Sequence, residues 1–122
     1  KIRMTGMTQE LYNLTDQLLR KVAEAEDIYR RAREEELTFD FYQDVKPYAD
    51  EVKAMADRWA DLAGEWQKRM KPRQISPLQI QNTHNNLLQV SVHCHIPQSS
   101  KARFIKHCHA AAFVLEQVKR EI

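Results

Sequence analysis

Turn-forming residues are scarce in this chain, with two glycines and four prolines among 122 residues. That argues against a β-sandwich, which needs a turn about every ten residues. Two cysteines are too few for a disulfide framework and suit a reducing, cytoplasmic setting. No apolar run approaches the ~20 residues that span a bilayer, and no apolar region follows Lys1-Ile2-Arg3-Met4 as in a secretory leader. Glycine-rich phosphate loops and nucleophile elbows are missing. No Glu is followed three residues later by His, which argues against the di-iron carboxylate bundles. Without a catalytic motif or a cofactor signature, a non-enzymatic protein is expected.

What the chain does contain is helix-forming: Ala, Leu, Glu, Lys, Arg and Gln are abundant. The length fits one domain, residues 1–122. Its organising stretch runs from Phe39 to Met70. There Val45, Tyr48, Val52, Met55, Trp59, Leu62 and Trp66 alternate at spacings of three and four, the seam of an amphipathic helix. A preceding stripe of Leu11, Leu14, Leu18, Val22, Ala25, Tyr29 and Ala32 predicts a helix over 8–35 capped by Thr8. The acidic run Glu34-Glu35-Glu36 opposes the helix dipole and predicts fraying there.

The second helix is predicted over 41–70. Asp40 or Asp44 can cap it, and a cap at Asp40 predicts a kink at Pro47. Ser76-Pro77-Leu78-Gln79 reads as a capping box opening a third helix over 77–95, with Ile80, Thr83, Leu87, Val90 and Cys94 inward. A fourth helix over 100–121, capped by Ser99 or Ser100, turns Phe104, Cys108, Ala111, Leu115, Val118 and Ile122 inward. Four such helices on short links predict an all-α, antiparallel up-down-up-down four-helix bundle.

The pattern Phe41-Tyr42, Val45-Lys46-Pro47-Tyr48-Ala49-Asp50-Glu51-Val52, Trp59, Trp66, Lys71-Pro72, Gln79-Ile80, Asn82-Thr83, Asn86-Leu87, Pro97 and Arg103-Phe104 resembles the YppE-like proteins of Bacillus-type bacteria. The resemblance covers nearly the whole chain. It implies a small cytoplasmic four-helix protein and brings no catalytic residues with it.

Charge is uneven. Residues 8–66 carry fifteen acids and eight bases, whereas 67–122 carry two acids and nine bases. In a monomeric bundle these halves are expected to join electrostatically. The basic cluster Lys68, Arg69, Lys71 and Arg73 complements the end of the second helix. Nucleic acid is not the expected partner, since binding needs a wider basic surface.

Two tripeptides, His93-Cys94-His95 and His107-Cys108-His109, carry zinc-type ligands, with His84 nearby. None of these residues are three or four apart, so a regular helix cannot bring two onto one face. Cys94 and Cys108 read as small apolar core residues, too far apart along the hairpin for easy bridging. Trp59 and Trp66 read as packed core. A metal- or small-ligand-binding bundle, using these His and Cys residues or a cavity near the tryptophans, is the alternative reading.

The feature with most functional content is an absence. From Gln74 to Ser100 there is no Asp, Glu, Lys or Arg. Asn82, Asn86, Gln89 and His93 share one face of the third helix, opposite Ile80, Leu87 and Cys94. Interface cores are depleted of charge because removing charge from water is costly. This face is expected to dock a protein partner or a second copy of the bundle.

Overall fold

The computed structural model describes residues 5–122. Four helices make up most of them: α1 (Gly6–Glu34), α2 (Lys46–Met70), α3 (Pro77–His93) and α4 (Lys101–Glu121). α1 and α3 each pack against both α2 and α4, forming a four-helix bundle. Side-chain pairs run in opposite chain order across neighbouring helices. Glu10 meets Arg58 while Lys21 meets Glu51, and Asp16 meets Lys119 while Tyr29 stacks on Phe104.

The first helix starts earlier than Thr8. Thr5 is its cap, with Oγ1 accepting from the Thr8 N–H at 3.1 Å. Starting at Gly6 adds backbone bonds such as Gln9 N–H to Thr5 O at 2.9 Å, and Thr8 is accommodated inside the first turn. The acidic run does end the helix: Glu34 is its last residue, and Glu36 turns left-handed at φ 52°. α3 is shorter than its predicted span. It closes at His93, and the tighter bonds His95 N–H to Val92 O and Ile96 N–H to His93 O lead the chain to Pro97.

The join before Pro47 takes an unusual form. Both candidate caps are used: Asp40 Oδ2 accepts from Gln43 N–H at 2.7 Å, and Asp44 Oδ2 accepts from Asp40 N–H at 2.9 Å. Phe41–Val45 then form a single π-helical turn before the regular α2. Pro47 cannot donate to the preceding turn and its ring crowds the carbonyl four residues back. The wider π turn, closed by Val45 N–H to Asp40 O at 3.2 Å, absorbs that misfit.

The core follows the predicted seams closely. Val52, Trp59, Leu62 and Trp66 of α2 meet Leu11, Leu18, Val22 and Tyr29 of α1, with Leu87, Val90, Phe104 and Leu115 completing the cluster. The seams also required correction. Leu14 is only partly buried, and the enclosed slot beside it holds Thr15. Tyr48 and Met55 are at the core's margin, while Ala56 and Ala63 of α2 are fully buried in it. Ile75, in the α2–α3 link, is buried as well.

The expected electrostatic union of the two halves is largely not realised. Among the described residues, the ion pairs that link residues 8–66 to 67–122 are Asp16–Lys119 at 2.9 Å and Asp57–His84 at 2.6 Å, the latter charged only with His84 protonated. The other pairs join acids and bases within α1 and α2. Many of those acids lie one helical turn from a base and pair locally, while Glu10 and Glu51 pair across α1 and α2.

Candidate functional site

α3 is held in place by a complete capping box. Ser76 Oγ accepts from Gln79 N–H at 3.2 Å, and Gln79 Oε1 accepts from Ser76 N–H at 2.7 Å. Pro77 stands at the first helical position, where its missing N–H costs nothing. Ile80, Thr83, Leu87 and Val90 are buried, which fixes the rotation of the helix and turns the asparagine face outward. Asn82 and Gln89 are exposed there, and Asn86 and His93 are half-buried.

The four residues lie along the outward face of α3, and two of them also reach a groove. Asn82 and Asn86 line a shallow groove of about 740 Å³ between α3 and α4. Its α4 wall is mostly apolar, with Ala102, Ile105, Ala110, Phe113 and Val114 beside Lys106 and His109, and its α3 wall carries the amides of Gln79, Asn82 and Asn86. Gln89 and His93 lie further along α3, outside this lining. His93 instead approaches His107 of α4. Burial, then the proximity of His93, Arg103 and Lys106, lowers the pKa of His107.

Phe113 is the residue that sequence reasoning missed. It is 62% exposed, a large aromatic at the end of the groove. Its signal was present: Phe113 lies off the Phe104–Cys108–Ala111–Leu115–Val118 seam, so the core does not account for it. Ile105 and Val114 widen the same apolar strip toward α3.

The histidines and cysteines go separate ways. His95 leaves the end of α3 and turns inward, its ring edge-on to Phe39 and Tyr48, with Nδ1 3.2 Å from Cys94 Sγ. Desolvation lowers its pKa. His84 meets Asp57, whose carboxyl is lowered first by Lys53 and then by His84. His109 lines the groove. Among the described residues, no three His, Cys, Asp or Glu side chains come together as a metal site. Cys94 and Cys108 are free and buried. Burial pushes both thiols up to about 12, with Cys108 adding to the effect on Cys94. Neither thiol is activated as a nucleophile.

Trp59 is fully enclosed and Trp66 nearly so, both within the core cluster. Trp59 Nε1–H donates to Thr15 Oγ1 at 3.0 Å, so its polar edge is satisfied inside the protein.

The family model of the bacterial domain of unknown function DUF1798 matches residues 15–122. The chain belongs to that family. It is 27% identical over 116 residues to the uncharacterised protein YppE of Bacillus subtilis, covering 95% of this chain and 94% of YppE. The crystal structure of YppE superposes with a TM-score of 0.90 over 93% of each chain. A Listeria innocua protein of unknown function, 32% identical, superposes at 0.89 over 93% of this chain and 91% of its own. A DUF1798 domain from Staphylococcus aureus, at 19% identity and a TM-score of 0.81, shares the fold; the match covers 92% of this chain and 95% of that one. The resemblance to YppE-like proteins read from the sequence is thereby a family relationship.

Proposed function

We propose that this is a non-enzymatic, cytoplasmic protein-interaction module that docks a partner through α3 and the groove beside it. The observation that carries the reading is the charge-free segment Gln74–Ser100, whose outward face is Asn82, Asn86, Gln89 and His93. In a protein with 30% charged residues, a neutral amide face next to an apolar groove has the composition of an interface core with a polar rim. Phe113 supplies the kind of exposed aromatic that anchors such interfaces. No helix of the described residues is long and apolar enough to cross a membrane.

Asn86→Glu with Gln89→Glu tests this. The two side chains point away from the buried stripe, so the variant keeps its fold while a docking partner must bury unpaired carboxylates. Capture from native, nuclease-treated lysate is expected to retain a specific protein on the parent chain and lose it on the variant. Equal capture by both would remove α3 from the docking surface.

A further inference from the structure

A second absence, larger than the first, surrounds the groove. Between Glu65 and Glu116 there is no Asp or Glu at all, so every residue of α3 and the first fifteen of α4 lie in an acid-free segment. The same segment contains Lys101, Arg103 and Lys106 at the start of α4. No ion pair among the described residues involves these three. Lys106 lines the groove directly. Lys101 faces the α1 carboxylates Glu26 and Asp27 in a separate pocket, whereas no Asp or Glu lines the groove that holds Lys106. Glu116, one turn past Phe113, is where the acid-free segment of α4 ends.

Size and shape narrow the occupant. The groove follows α4 from Ala102 to Val114, about 18 Å at 1.5 Å per residue. That is the length of three turns of helix. An apolar trough between two parallel ridges takes an amphipathic helix, whose apolar stripe recurs at three- and four-residue spacing. A nucleic-acid strand would instead need an open basic surface rather than an apolar floor.

We propose that the occupant is an amphipathic helix of a partner protein, about three turns long. Its apolar stripe lies on Ile105, Ala110 and Phe113, and carboxylates flanking the stripe meet Lys106 and, beyond the lining, Arg103. The inference rests on the docking reading above and adds the chemistry of the partner. Acids on that helix gain attraction from Lys106 in a groove that no carboxylate lines, and bases on it are repelled.

The test is a display library of helical 16-residue peptides with a fixed leucine stripe and Glu, Lys, Gln or Ser allowed at each flanking site. It is selected on the intact protein and counter-selected on Phe113→Glu. The expected pool is rich in Glu at the flanks and poor in Lys. Individual peptides should weaken about tenfold or more on Phe113→Glu and Lys106→Glu, and bind less tightly as salt rises. A Lys-flanked peptide should gain affinity for Lys106→Glu. Amide shifts induced by the best peptide should map to α3 and α4. A pool without charge preference, no pool above counter-selection, or shifts elsewhere would each overturn the proposal. So would a labelled single-stranded oligonucleotide binding more tightly than any peptide and lost in Lys106→Glu, or self-association lost in Phe113→Glu. If the peptide result fails while the Asn86/Gln89 variant still loses its captured partner, α3 docks a partner of different chemistry. If both fail, the docking reading itself falls.

Discussion

Thr15 Oγ1 accepts a hydrogen bond from the indole N–H of Trp59 at 3.0 Å, and its own O–H donates to the Leu11 carbonyl at 2.7 Å. This chain of two bonds links α1 and α2 inside a largely apolar core. It fixes the register of the two helices, because a shift of one residue would strand the indole N–H. Thr15→Val keeps the volume and removes the acceptor. Urea unfolding is expected to show a loss of about 1–3 kcal/mol, the cost of an unpaired buried donor. Trp59→Phe in that background should cost less than in the parent, because the donor is already orphaned. Strict additivity of the two changes would break the link.

The capping box at Ser76 orients the face on which docking depends. Ser76→Ala removes one half of it and is expected to cost about 1 kcal/mol in thermal or urea unfolding. Ser76→Asp restores the acceptor and should recover most of that loss. An unchanged stability in Ser76→Ala would mean that the box contributes nothing.

Cys94 and Cys108 have thiols pushed up to about 12. Against an ordinary thiol, the thiolate fraction near pH 8 falls roughly a thousandfold. Labelling by iodoacetamide should therefore be slow in the native protein and fast in 8 M urea. The folded state holds these protons when the unfolded chain has released them. Stability should then decline as pH rises through about 8.5–9, the ordinary thiol pKa of the unfolded chain. Rapid native labelling at pH 8 would contradict the burial of both groups.

His95 titrates in the opposite sense. Its folded pKa is lowered, so the unfolded chain takes up the proton first and stability falls as pH drops below the ordinary imidazole value near 6.5. Urea midpoints measured from pH 7 to pH 5 should fall in the parent. His95→Gln should flatten part of that slope even if it lowers the pH 7 midpoint, since the ring packs on Phe39 and Tyr48. An unchanged slope would assign the acid sensitivity elsewhere, with His107, whose pKa is also lowered, the next group to replace.

Much of the bundle was legible because hydrophobic periodicity dictates which side of a helix is buried. The α3 and α4 seams needed no rearrangement at Ile80, Leu87, Val90, Phe104, Cys108 or Leu115. Thr15 escaped that logic because a polar/apolar pattern places threonine outside, while its hydroxyl bonds back to Leu11 and fits the core. The π turn escaped it because Asp40 and Asp44 are both good caps, and reading them as alternatives concealed that both are used together. The charge halves were visible as numbers, but their local pairing depends on helical spacing and on which helices face each other. The asparagine face was readable from α3 alone. The groove was not, because its depth comes from the separation of α3 and α4 and from where Phe113 projects.

The most direct measurement of the docking account is photo-crosslinking in cells of the source organism. Benzoylphenylalanine would replace Gln89 or Asn82 on the α3 face, with exposed Arg20 of α1 as the control site. Docking through α3 predicts one adduct of defined mass from Gln89 and Asn82, absent from Arg20 and lost when Phe113→Glu is added. Adducts of equal yield from all three sites, or none from the α3 face, would contradict it.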